Sequence, residues 1–317
     1  MSRQLHISQL RSGGIMTTMA CSSRCRHCLY ACGPEWPREF IAEDTLRHVV
    51  KTCLQLRCRS VHIGGGEPFL NPEHLIMVAR VCREMGLGID YIETNASWFA
   101  SMDQAIRFLT TLQQAGVGTL LVSISPFHNE FIPFHKTKGV LAACRKTGMG
   151  IFPWVMDFYS DLDALEHDRP HRLAEYEHRL GPNYLAGTLS RYWIHFGGRA
   201  LNTFRSYLPA KSFVEILTQS GPCSELEQTS HFHFDPWGDY IPGLCSHLRI
   251  PRPDSDRAID ARHAEWIDTL YSVGVVGLVQ QLPDDVRDSL QQRTYLSKCD
   301  LCEAIFSWKS QASSVSP

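Results

Sequence analysis

From residue 15 to about residue 200, short apolar runs alternate with longer runs whose apolar residues recur at helical spacing. Residues 15–20 read as a strand. Residues 42–56 read as a helix, with Asp44 in an acidic first turn and Leu46, Val49, Val50 and Cys53 on one stripe. The same alternation predicts strands at 60–64, 89–93, 119–124, 150–156 and 192–196. It predicts helices at 72–85, 102–115 and 138–147, the last two stopped by Gly116 and Gly148. Six βα-like units of this kind predict an α/β fold, with parallel strands wrapped by helices.

The rhythm breaks twice. Between the fifth and sixth predicted strands lies a charged insert, residues 160–190, with Asp161, Asp163, Glu166, His167, Asp168, Arg169 and a helical run at 172–180. It reads as solvated helices on the outside, or as a lid or docking element. After about residue 205 the pattern changes for good. Ser230-His231-Phe232-His233-Phe234 alternates like a strand, Pro236-Trp237-Gly238-Asp239 reads as a turn, and 240–244 as the returning strand. His231 and His233 share one face of that strand and read as hairpin residues ahead of metal ligands. Residues 251–256 are polar and Pro-rich, a loop, and helical runs follow at 263–273 and 284–292. The chain closes on Cys299-Asp300-Leu301-Cys302 and a Ser-rich tail, and no internal repeat is visible. The expected division is 1–205, with its insert, and 206–317.

Each predicted strand is followed by unusual residues. These are the cysteines after the first, Gly65-Gly66-Glu67-Pro68 after the second, and Thr94-Asn95 after the third. Ser125-Pro126-Phe127-His128 follows the fourth, Asp157 and Tyr159 the fifth, and Gly197-Gly198-Arg199 the sixth. Parallel strands open their carboxyl ends on one face, and active sites are built there. Motifs distant in sequence are thus expected to converge.

Composition narrows the class. The 317 residues are 44% hydrophobic and 20% charged, enough to bury a core. The net charge is −2 and no basic stripe points to nucleic acid. Residues 1–11 hold no apolar signal core, and no run approaches the roughly 18 apolar residues of a membrane helix. A soluble, cytoplasmic protein is expected. Its twelve cysteines then read as buried thiols or metal ligands ahead of disulfides. Cys53, Cys58, Cys82 and Cys144 lie in or beside predicted helices and read as core residues.

Cys21, Cys25 and Cys28 stand at C-x3-C-x2-C spacing in one loop. Three readings are open. A zinc knot takes Cys32 or His27 as its fourth ligand. A ferredoxin-like site takes Cys32 as a fourth thiolate and saturates its cluster. An open three-cysteine site leaves one iron free for chemistry. Further on, Cys223, Cys245, Cys299 and Cys302 supply four thiolates, enough for one auxiliary 4Fe–4S cluster or a tetrahedral zinc.

The cysteine loop together with Gly65-Gly66-Glu67-Pro68 resembles the radical S-adenosylmethionine (SAM) enzyme superfamily. The resemblance implies a partial (β/α)6 barrel, in which Cys21, Cys25 and Cys28 hold a 4Fe–4S cluster whose fourth iron takes the amino and carboxylate groups of SAM. It implies reductive cleavage of SAM to methionine and a 5′-deoxyadenosyl radical that abstracts a substrate hydrogen. A flavodoxin or ferredoxin would supply the electron. Gly65, Gly66, Glu67 and Pro68 would bind the SAM ammonium, His27 would lie near the adenine, and Asn95, Ser125 and Arg199 would line the SAM pocket. His128 and Asp157 would meet the substrate. The four later cysteines resemble the twitch or SPASM extension of such enzymes, with four cysteines where the full SPASM pattern has seven. Relatives with such extensions oxidise peptides, proteins or small molecules, and a peptide or protein substrate is the favoured expectation. The alternatives are a small-molecule dehydrogenase, epimerase or mutase, with Cys32 as hydrogen donor, and a non-catalytic electron carrier.

Overall fold

The computed structural model of the chain describes residues 5–251 and 261–314. Its nine strands are β1 Gly13–Met16, β2 Ser60–Gly64, β3 Gly88–Thr94, β4 Thr119–Ser123, β5 Gly150–Trp154, β6 Lys211–Ser212, β7 Phe232–Phe234, β8 Tyr240–Ile241 and β9 Thr294–Tyr295. Seven form one sheet in the order β5-β4-β3-β2-β1-β7-β8. β1 to β5 run parallel, β7 joins β1 in parallel, and only β8 is antiparallel. β6 and β9 make a separate antiparallel pair.

Four helices connect the parallel strands: α1 Glu43–Gln55, α2 Pro72–Met85, α3 Met102–Gln114 and α4 Phe134–Thr147. Their ends follow local chemistry. Asn71 and Ser101 cap α2 and α3 by accepting the backbone N–H of His74 and Gln104. Gly86 and Gly148 close α2 and α4 in the left-handed conformation. Alternate strand residues pack under these helices. Val61, Ile63, Ile92, Leu120 and Val122 are fully buried there, and Cys53, Cys58, Cys82 and Cys144 join the same core as expected. The opposite alternation, His62, Tyr91, Glu93, Ser123, Phe152 and Trp154, faces away from the helices and stays partly open.

The α/β expectation holds, with two differences in its strands. β1 spans 13–16, and the chain from Thr17 runs on extended, tied by Thr17 N–H to the Gly64 carbonyl at 3.0 Å and by Ile41 N–H to the Thr17 carbonyl at 2.8 Å. Residues 192–196 form no strand. Trp193 in that run is 60% exposed, whereas Phe232 and Phe234 are buried. The run at 232–234 therefore takes a place in the sheet, at the β1 edge, because it has two large side chains to bury there.

The predicted hairpin is present, its turn held by Asp235, whose side chain accepts the N–H groups of Trp237 and Asp239 at 3.0 Å each. It extends the main sheet. The insert folds into helices Tyr159–Asp163, Leu173–Leu180 and Tyr184–Arg191. It is docked as well as solvated, since buried Tyr176 donates to Asn129 Oδ1 at 2.6 Å. Helical runs at Ala261–Ser272 and Asp284–Gln291 match expectation, while the loop predicted at 251–256 lies outside the described residues but for Pro251. Among the described residues no helix is long and apolar enough to cross a membrane.

Candidate active site

Beyond the carboxyl ends of β1 to β4 lies a cavity of about 120 Å³ whose wall includes Cys21, Cys25, Cys28 and Cys32. The loop that carries them is folded by its own backbone. Cys21 N–H reaches the Gly33 carbonyl at 3.1 Å, and Cys28 N–H the Cys25 carbonyl at 3.2 Å. Arg199 clamps it from behind, with Nε on the Cys25 carbonyl at 2.9 Å, its backbone N–H on that of Cys28 at 3.1 Å, and its guanidinium on that of Cys32. Gly198 lets Arg199 come this close, because a Cβ there would lie 2.2 Å from the Leu29 carbonyl oxygen. Lysine at 199 has no planar fork to hold two carbonyls at once. Arg199→Lys is therefore expected to speed amide hydrogen exchange in residues 25–32 by about tenfold, the equivalent of one lost charge-assisted hydrogen bond. Unchanged exchange would remove the clamp role.

Burial pushes the Cys21 thiol up to about 12, helped by the nearby Glu67, and pushes Cys25 well above the ordinary thiol range. A hydrogen bond within the Cys28–Cys32 pair lowers Cys28 and raises Cys32. Crowded thiolates in so dry a place need a cationic core to neutralise them. Among the described residues no three His, Cys, Asp or Glu side chains converge on one ion-sized point. The thiols stand around a space instead, and the donor set fits a polynuclear iron–sulfur core better than a single zinc.

The glycine motif divides in two. Gly65, at φ 112°, and Gly66 line the cavity. Their backbone lies against the extension of β1, with Gly66 N–H on the Thr18 carbonyl at 2.8 Å and Glu67 N–H on that of Ala20 at 2.9 Å. Glu67 and Pro68 are buried behind the wall. The Glu67 carboxylate accepts the Asn95 N–H at 2.7 Å, the Thr94 hydroxyl at 3.1 Å and the Phe69 N–H at 3.2 Å, and burial raises it to about 7. It ties β3 to the motif and does not face the cavity as the sequence led us to expect.

Asn95 is on the wall, donating to Ser22 and Ser23 hydroxyls at 3.1 and 3.2 Å and to Cys21 Sγ at 3.5 Å. His27 is on the wall too, ringed by Phe127, His128 and Tyr192 at 4.8 to 5.0 Å. Its Nε2 meets the Tyr192 hydroxyl at 3.0 Å, while its buried Nδ1 has no partner among the described residues. Burial holds His27 neutral and pulls His128, also on the wall, down to about 4. Ser125 lies behind, its hydroxyl 2.6 Å from His128 Nδ1, and Ser123 takes the wall position. Asp157 is exposed and is not brought to the cavity; its backbone carbonyl accepts Arg191.

A second cavity, of about 300 Å³, is lined by Cys223, Cys245, Cys299 and Cys302. Cys299 and Cys302 are three residues apart in the first turn of helix Lys298–Ser314, hence on one face. Burial raises all four thiols, Cys223 to about 12 and Cys299 to about 11. His247, unnoticed in the sequence, has Nε2 3.3 Å from Cys302 Sγ. Between the two cavities Tyr30 donates to or accepts from His233 Nδ1 at 2.9 Å, and the Arg249 guanidinium lies 5.9 Å from the Tyr30 ring. Glu93, Ser123 and His62 also escaped the sequence reading, although alternation along β2, β3 and β4 was the signal that places them.

Residues 15–158 match the family model described as the Radical SAM superfamily. Over those residues the chain is similar to the radical SAM superfamily. Comparison with curated proteins gives no match. Among solved structures, native anSMEcpe with bound AdoMet is 13% identical, with 95% of this chain and 97% of that chain covered and a TM-score of 0.46. BtrN in complex with AdoMet and 2-DOIA is 12% identical, over 90% and 92% of the two chains, with a TM-score of 0.43. Coproporphyrinogen III oxidase (HemN) from Escherichia coli is 16% identical over 45% of this chain and 36% of its own, with a TM-score of 0.33. Likenesses this loose carry no weight for the reaction. The family matched over residues 15–158 implies a 4Fe–4S cluster and SAM.

Proposed function

We propose that this chain is a radical SAM enzyme that oxidatively modifies a peptide or protein, by bond formation or dehydrogenation, using a second iron–sulfur cluster. In this reading Cys21, Cys25 and Cys28 ligate the catalytic 4Fe–4S cluster, and Cys223, Cys245, Cys299 and Cys302 an auxiliary one in a twitch-like region from about residue 206. Once bound and reduced by a flavodoxin or ferredoxin, the first cluster would supply the one-electron chemistry that turns SAM into a hydrogen-abstracting reagent. The chain's own residues do the rest. Gly65, Gly66 and Asn95 bind SAM, His27 presents its ring to the adenine, and Arg199 holds the loop rigid. The observation that carries the reading is the partition of the clustered thiols into two separate cavities. All twelve cysteines are free, which suits a reducing cytoplasm.

Cys32 supports a second reading, because it lines the cavity beside Cys28. As a fourth thiolate it would close the cluster and leave an electron carrier; as a free thiol it would be a hydrogen donor. Cys32→Ala separates these. On the open-site reading the anaerobically reconstituted variant keeps its iron and cleaves SAM to 5′-deoxyadenosine at a rate close to wild type. A wild type that binds cluster and never cleaves SAM under reduction, while Cys32→Ala does, would establish the closed site.

A further inference from the structure

The sheet face turned away from α1–α4 holds a charged group that nothing so far uses. Glu93, Leu121 and Phe152 stand in one row across β3, β4 and β5. Tyr91, two residues before Glu93, shares its face. The Tyr91 ring stacks on His62 at 5.2 Å and meets Phe152 edge-on at 5.6 Å. Phe152 meets Trp154 at 5.7 Å, and Trp154 meets Tyr192 at 6.0 Å. An aromatic row thus runs along the face with one carboxylate beside it. Phe152 is 39% exposed, so the row is open to a ligand.

Glu93 sits on the wall of the cysteine cavity, so close to the glycine motif that a Cβ on Gly64 would lie 2.5 Å from its carboxylate. Among the described residues it accepts no hydrogen bond. Its nearest basic atom is His62 Nε2 at 3.8 Å. His62 is engaged elsewhere, with Nε2 3.0 Å from His233 Nε2, and burial keeps it neutral. That pairing is built into the sheet: His62 and His233 flank Gly14 in register, and a Cβ on Gly14 would lie 2.2 Å from His62 Nε2. Arg199, which lines this wall, is engaged by the carbonyls of the cysteine loop. The carboxylate is therefore partly desolvated with no counter-ion, which is costly unless a ligand brings one. A carboxylate beside aromatic rings recognises an organic cation, by charge and by the ring quadrupole together. An anionic ligand would meet repulsion.

We propose that Glu93, with the aromatic row of Tyr91, Phe152 and Trp154, binds an ammonium group on the molecule held at this face. Two molecules can bring it, the amino end of SAM or an amine on the substrate, and only the choice between them rests on the radical SAM reading. The test is calorimetric titration of the reconstituted full chain and of Glu93→Gln, first with SAM, then of the SAM-saturated proteins with cadaverine and, as an anionic counterpart, glutarate. Wild type is expected to bind cadaverine or SAM through Glu93 and to leave glutarate unbound. Loss of one charge-assisted contact predicts a weakening of about tenfold or more in Glu93→Gln. Weakened SAM binding assigns the ammonium to SAM. Unchanged SAM binding with cadaverine binding lost assigns it to the substrate. If neither changes while cluster absorbance is kept, or if glutarate binds as well as cadaverine, the proposal is overturned. A wild type without any SAM affinity sinks the radical SAM use of the cavity, and the cadaverine arm then judges the ammonium site alone. Should Glu93→Gln hold no cluster, Glu93→Asp, which withdraws the charge by one methylene, is read the same way.

Discussion

Changing Cys21, Cys25 and Cys28 together to alanine is expected to abolish 5′-deoxyadenosine formation and to remove about half of the iron, from about eight to about four per chain. The three thiols line one cavity and the four later ones another, with no cysteine common to both. Loss of the first donor set should leave the second intact. The fold should tolerate the change, because the loop's backbone bonds and the Arg199 clamp on its carbonyls need no sulfur. Small apolar side chains also suit a buried place whose desolvation now raises the Cys21 and Cys25 thiols. Anaerobic reconstitution, iron analysis and chromatography of the SAM products are the measurements. Full retention of iron would mean that Cys21, Cys25 and Cys28 are not ligands. Loss of all iron would mean that the later four cysteines hold no separate cluster. Retained cleavage with the triad gone would end the radical SAM assignment of this loop.

How much of this was legible in the sequence depends on what each feature rests on. The strand and helix succession from β1 to β5 was readable because each strand buries one alternation under an amphipathic helix, and that periodicity is a local property. The cysteine clusters were readable because donors in one loop or one helical turn carry their spacing with them. The sixth strand was misplaced because 192–196 and 232–234 look alike as strings. What separates them is the partner: Gly13 leaves room for Phe232 against β1, since a Cβ there would lie 2.3 Å from the Phe232 carbonyl oxygen. Glu67 was expected at the cavity and Glu93 was overlooked for a related reason. Glu67 sits in the motif, but its carboxylate is claimed by Thr94 and the Asn95 backbone, residues 27 and 28 positions away. Glu93 carries no motif and reaches the wall through strand alternation. Ser125 failed because β4 ends at Ser123, which lines the wall, while Ser125 lies past the strand as the cap of helix Pro126–Asn129, its hydroxyl on His128. Motif spacing locates a site; the pleat decides which member of the motif faces it.

Gly66→Ala is expected to cost about 3 kcal/mol or more, at the upper end of overpacking changes, because what it meets is backbone. A Cβ at Gly66 would lie 1.9 Å from the Ala20 carbonyl oxygen and 3.0 Å from the Met19 carbonyl carbon. No rotamer relieves that overlap. The chain from Thr18 to Ala20 must move away, which breaks the bonds from Gly66 and Glu67 N–H to the Thr18 and Ala20 carbonyls. That segment leads directly into Cys21, so the displacement reaches the cavity wall. Gly86→Ala is the control. Gly86 closes α2 at φ 85°, and a Cβ there meets nothing within 4 Å. Only the left-handed backbone penalty applies, roughly 1–2 kcal/mol. Denaturant unfolding should therefore place Gly66→Ala well below Gly86→Ala, and only Gly66→Ala should lose SAM affinity in the reconstituted protein. If the two substitutions cost the same, the close approach of the glycine motif to the β1 extension is not what shapes this wall. If Gly66→Ala is destabilised but binds SAM as tightly as wild type, the motif supports the fold without forming the SAM site.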